Sequence, residues 1–119
     1  MENVRELCVD AYGCQANLSD GPGLEKLARH AAESIGATVA DSVSHLFQPH
    51  GLTLCLILKE SHLVVSTWPE HQLAVVNIFL CNRDMEPRDC WKIMEAVLKP
   101  SHCVFHEVEH KIGTYRKVA

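Results

Sequence analysis

The sequence predicts an α+β protein: a two-layer sandwich with a mainly antiparallel sheet and two helices on one face. Three observations carry this. Only two stretches show the three-and-four spacing of an amphipathic helix. The remaining apolar runs are short, β-branched or alternating, and bounded by turn formers. Their order is strand, helix, several strands, helix, strand, and two helices are too few to cover both faces of so many strands.

In chain order, Val4 to Tyr12 alternates loosely and reads as a strand. Asn17 to Gly23 is dense in turn formers. Leu24, Leu27, Ala28, Ala31, Ala32 and Ile35 form one helical stripe, with Gly36 where a C-terminal cap belongs. Ala37 to Phe47 reads as a strand, and Gln48-Pro49-His50-Gly51 as a turn. Leu52 to Leu58 is nearly all apolar, as in a strand buried on both faces or one lying under helices. His62 to Trp68 is a further strand, broken by Pro69. Leu73 to Cys81 is another. Pro87 suits an early helix position, and Trp91, Met94, Val97 and Leu98 mark the second helix, which Pro100 ends. His102 to His110 alternates as a last strand, and a basic tail follows from Lys111.

The totals narrow the function. A chain of 119 residues has the size of one domain. Its apolar content of 47 % and charged content of 22 % are ordinary for a globular protein. A net charge of -4 argues against a dedicated nucleic-acid binder, which needs a basic surface. No apolar run is long enough to span a bilayer, and MENVRELCVD lacks the features of a signal peptide, so a cytoplasmic location is expected. The six cysteines show neither a C-x-x-C pair nor zinc-finger spacing. His102, His106 and His110 are four apart but fall in an alternating segment, so they should share one sheet face; no metal site is expected.

The segment KESHLVVSTW, residues 59–68, poses the chemical question. Glu60-Ser61-His62 falls where one strand turns into the next, yet it contains none of the Gly, Asn or Asp that tight hairpins favour. It can be a plain turn in which Ser61 satisfies backbone groups. Alternatively, a serine strained against the preceding carbonyl can attack it and convert the amide to an ester. β-Elimination then gives dehydroalanine, and hydrolysis gives a pyruvoyl group. A pyruvoyl forms a Schiff base with a substrate amine and accepts the electrons released by decarboxylation.

Five blocks sit in register with that idea: GATV (residues 36–39), Phe47-x-Pro49-x-Gly51, Glu60-Ser61-His62-Leu63, Thr67-Trp68-Pro69-Glu70-His71 and Phe79-x-Cys81. Together they resemble the prokaryotic S-adenosylmethionine decarboxylase family, over roughly residues 5–112. The resemblance implies a pyruvoyl-dependent decarboxylase of S-adenosylmethionine in spermidine and polyamine synthesis. It implies a two-layer α/β sandwich, a homodimer, and self-cleavage between Glu60 and Ser61, with the pyruvoyl made from Ser61. Carried over by position, Cys81 is the proton donor to the substrate carbon. Glu70 binds the ribose hydroxyls, for which a carboxylate offers two acceptors. Phe47 stacks on adenine, with Trp68 nearby.

Three positions depart from the family pattern. Ser66 stands where the family carries a processing histidine, Thr53 where it carries a processing serine, and Asn77 where it usually carries an aspartate. A serine hydroxyl is a far poorer base than imidazole near neutral pH. Either another histidine (His62, His71 or His45) moves the proton, or the chain matures poorly and acts as an unprocessed binding protein. A third reading keeps the pyruvoyl and changes the substrate to a basic amino acid such as arginine or ornithine.

Overall fold

A computed structural model describes residues 3–113. The elements are β1 (Asn3–Tyr12), α1 (Gly21–Ser34), β2 (Val39–Leu46), β3 (Leu52–Leu58), β4 (Ser61–Trp68), one turn of 3₁₀ helix (Pro69–His71), β5 (Leu73–Leu80), α2 (Pro87–Leu98) and β6 (His102–Lys111). The strands form one sheet in the order β2-β3-β4-β5-β1-β6. Every neighbouring pair is antiparallel. Both helices pack on one face, as the count of helical stripes predicts.

The element ends follow local chemistry. Helix α1 starts at Gly21, earlier than its apolar stripe, because Asp20 caps it: Oδ1 accepts the Gly23 N–H at 3.0 Å. Pro22 then supplies helical φ at a position whose N–H would be unused. The helix closes at Ile35, and Gly36 follows with φ +87°, one residue past the cap. Pro87 opens α2, as expected from sequence. Its end is set by Lys99 in the left-handed region, immediately before Pro100.

Burial alternates along the strands and locates the core. Leu52, Leu54, Leu56 and Leu58 face the helices and are buried, as are Leu63 and Val65 on β4 and Val76, Ile78 and Leu80 on β5. Each such leucine contributes roughly 2 kcal/mol through removal from water. Ala28, Ala31 and Ala32 are wholly buried, and their small size lets α1 approach the sheet closely. Of the two readings left open for β3, the strand under helices is the one observed. Thr53 and Cys55 are half-buried, and Ile57 is 45 % exposed. The face of the sheet away from the helices therefore stands open, and it carries most of the expected site residues.

Strand β6 is an edge strand paired with β1, which sets Val4, Cys8 and Tyr12 opposite His110, His106 and His102. The three histidines share the open face, as alternation predicts. His106 Nε2 pairs with Asp10 at 3.0 Å and His110 Nε2 with Glu6 at 3.6 Å. Lys111, expected to begin the tail, is the last residue of β6; residues 114–119 lie outside the described residues.

Candidate active site

Ser61 pairs with Leu58, so Lys59 and Glu60 make a two-residue hairpin loop between β3 and β4. Without a glycine in the loop, the chain turns at the cost of an unusual backbone: Ser61 has φ +147°, a region L-residues seldom enter. Three hydrogen bonds fix the loop. The Lys59 N–H donates to the Thr38 carbonyl at 2.9 Å, and the Thr38 N–H donates to Glu60 Oε1 at 3.0 Å. The third lies on the Glu60-Ser61 peptide itself: the Cys81 backbone N–H donates to the Glu60 carbonyl oxygen at 2.9 Å. Any attack on that carbonyl pushes negative charge onto this oxygen, which already holds a donor at the distance of an oxyanion-hole contact. Cys81 itself is half-buried and follows directly on Leu80, the cross-strand partner of Ser61.

His62 projects onto the open face. Its ring stacks on Phe79, with centroids 4.6 Å apart and planes at 6°. His62 Nε2 lies 3.2 Å from Asn77 Oδ1, and Asn77 Nδ2 donates to Cys8 Sγ at 3.0 Å. With the amide oxygen facing the ring, Nε2 is the donor, and in the neutral imidazole Nδ1 is then the acceptor. Asn77, read from sequence only as a lost charge, is thus the bridge that orients an imidazole. The link to Cys8 joins positions far apart in sequence, and no sequence signal announced it.

The other expected residues gather at the opposite end of the sheet. Thr53 and Ser66, two of the departures from the family pattern, are cross-strand partners whose hydroxyls lie 3.4 Å apart. They line a cavity of about 370 Å³ together with Phe47, Trp68, Glu70 and the turn Gln48–Gly51. Thr67, from the Thr-Trp-Pro block, points the other way: its hydroxyl donates to the Leu18 carbonyl at 2.9 Å and accepts the Leu52 N–H at 3.1 Å, tying the loop before α1 to the sheet. Glu70 is the middle residue of the 3₁₀ turn. Its carboxyl is held below the usual carboxylate range, first by its own backbone N–H and then by the nearby His50 imidazole. A larger cleft of about 740 Å³ runs between α1 and the β2 edge, lined by Glu25, Lys26, Arg29 and His30, and contains none of the expected site residues.

The expected residues therefore form two groups. Glu60, Ser61, His62 and Cys81 sit at the β3–β4 hairpin. Phe47, Thr53, Ser66, Trp68 and Glu70 sit at the far end of the same strands. Ser61 and Ser66 are five residue steps apart along extended β4, roughly 16 Å. Within one chain the two groups do not meet.

Comparison with known proteins gives a consistent result. The family described as S-adenosylmethionine decarboxylase matches residues 5–111. The S-adenosylmethionine decarboxylase proenzyme of Thermosipho melanesiensis is 33 % identical over 115 residues, spanning 96 % of this chain and 87 % of that protein. A proenzyme of the same name from Methanococcus maripaludis is 32 % identical over 109 residues, 91 % of this chain and 89 % of its own. In fold, the chain is similar to the crystal structure of the adenosylmethionine decarboxylase from Aquifex aeolicus VF5. The TM-score is 0.79 at 27 % identity, over 99 % of this chain and 98 % of that one. Neither alternative reading, a basic amino acid decarboxylase or an unprocessed homologue, finds support in these matches.

Proposed function

Because this chain belongs to the S-adenosylmethionine decarboxylase family, we propose that it is a self-processing, pyruvoyl-dependent decarboxylase of S-adenosylmethionine, acting in polyamine synthesis. The observation that carries this reading is the Glu60-Ser61 step, with φ +147° at Ser61 and the scissile carbonyl already bonded by the Cys81 N–H.

Processing needs only groups of this chain and water. Ser61 Oγ attacks the Glu60 carbonyl carbon, the Cys81 N–H stabilises the oxyanion, and the C–N bond breaks as the Ser61 nitrogen takes the hydroxyl proton. A base then removes the Ser61 α-proton and the Glu60 carboxylate leaves. Water hydrolyses the resulting dehydroalanine, releasing ammonia and leaving a pyruvoyl at the new terminus. We assign the base to His62, whose Nε2–H is taken by Asn77 and whose Nδ1 is left as an acceptor. This supplies the imidazole that Ser66 lacks.

The residues present fit such a group, since its precursor is a strained serine in a pinned hairpin. The pyruvoyl supplies an electron sink for the decarboxylation. Cys81, with a half-buried thiol beside the hairpin, returns a proton to the substrate carbon. Phe47 and Trp68 offer exposed aromatic faces to the adenine, and Glu70 offers acceptors to the ribose.

A homodimer completes the site. Two copies related by a two-fold axis, with their open sheet faces together, place the Ser61 end of one on the Glu70 end of the other. The open face has the apolar content such packing needs: Val43, Ile57 and Val108 are all exposed. Among the described residues, no helix is long and apolar enough to cross a membrane. All six cysteines are free, in keeping with the reducing cytoplasm to which we assign the protein.

Intact mass spectrometry tests the processing. Two fragments divided after Glu60 are expected from the wild type, and one intact chain from Ser61→Ala. Release of labelled carbon dioxide from S-adenosylmethionine tests the substrate; fully processed protein that releases none rules the substrate out.

A further inference from the structure

We propose that His50 is a positioning residue for Glu70, fixing its carboxylate so that it accepts from two adjacent ribose hydroxyls at once. This deepens the functional reading above and rests on it.

The geometry is direct. His50 Nε2 lies 3.2 Å from Glu70 Oε2, and both residues line the cavity that contains Phe47 and Trp68. Their juxtaposition is built into the turn. The Phe47 N–H donates to the Gly51 carbonyl at 2.8 Å, closing residues 47–51. Gly51 has φ +98°, and a Cβ there would lie 2.9 Å from the Thr67 carbonyl oxygen. Only glycine lets the turn lie this close to the end of β4, and so brings His50 against Glu70.

A carboxylate has about four acceptor sites. His50 takes one of these at 3.2 Å, and the residue's own backbone N–H favours the charged form of the carboxyl. The carboxylate is thereby held by a residue of the 48–51 turn, and its remaining acceptors keep a fixed direction. A glutamate on an exposed turn without that hold would have to be ordered by the substrate, and the ordering would weaken binding. Both side chains are 40 % exposed, so the pair adds little to fold stability. Its effect falls on binding, and on discrimination between a vicinal diol and a single hydroxyl.

The test uses the processed enzyme with S-adenosylmethionine and its 2′-deoxy analogue, comparing H50A, H50Q and E70Q. For H50A, KM for S-adenosylmethionine should rise about tenfold, the size of one charge-assisted hydrogen bond, with kcat almost unchanged. The rise should shrink for the 2′-deoxy analogue, which cannot use both acceptors. H50Q keeps an N–H donor and should restore most of the wild-type KM. Intact mass should show the same extent of cleavage in all three variants. If E70Q raises KM while H50A does not, or if H50A affects both substrates equally, the positioning role is overturned. If E70Q leaves KM unchanged, the ribose assignment of Glu70 falls, and the role of His50 with it.

Discussion

In the proposed mechanism Cys81 serves two steps through different atoms. Its backbone N–H holds the Glu60 carbonyl, and its thiol is assigned to turnover. Cys81→Ala removes the thiol and keeps the N–H. We therefore expect normal cleavage by intact mass, with kcat lower by roughly 10²-fold or more. Loss of cleavage in that variant would show that the thiol itself takes part in processing. Cys90 gives a prediction of another kind. Burial in α2 against the core pushes its thiol up to about 12. The native state therefore keeps this proton while the unfolded chain releases it near the ordinary thiol value. The contribution to stability is complete below about pH 9 and is lost as pH rises towards 12, at about 1.4 kcal/mol per pH unit. Urea midpoints measured between pH 8 and 11 should fall more steeply for the wild type than for Cys90→Ala.

Among the elements, the β3–β4 hairpin and the 48–51 turn matter most, because each holds one group of site residues and each relies on an uncommon backbone. Ser61 accepts a positive φ in the first, and Gly51 supplies one in the second. Gly51→Ala adds a Cβ 2.9 Å from the Thr67 carbonyl oxygen and leaves the residue in the left-handed region. A loss of about 1–3 kcal/mol by urea unfolding is expected, together with weaker substrate binding as the turn moves off β4. An unchanged midpoint would mean that the turn relaxes freely. The sequence made most elements legible, since helical spacing and alternation appear directly in the order of apolar residues. It left the two faces of β3 undecided: Leu52–Leu58 is apolar at nearly every position, and only the placement of both helices on one side decides which residues are covered.

For the whole molecule, the decisive feature is the distance between the two ends of one open sheet face. If a dimer completes the site, variants defective at opposite ends should complement each other. Ser61→Ala chains lack the cleavage step but retain Glu70; Glu70→Gln chains are cut but lack the carboxylate. Random pairing of equal amounts gives half mixed dimers, each with one complete site, so at substrate concentrations far below the raised KM of Glu70→Gln about one quarter of wild-type activity should return on co-expression. No recovery would place the whole site within a single chain.

The residue types at the site were legible because they lie in short local blocks, in which Glu60-Ser61-His62 and Trp68-Pro69-Glu70 can be read off directly. Their grouping was not. The Cys81 N–H on the Glu60 carbonyl, the His62–Asn77–Cys8 bridge and the His50–Glu70 pair join residues from different elements. The sequence by itself determined the α+β class and the identity of the candidate chemical groups, because helical and strand periodicity and residue types are local properties of the chain. Only the tertiary structure decided which groups meet and which lie a strand's length apart, because strand register and the one-sided placement of the helices arise from packing across the whole chain.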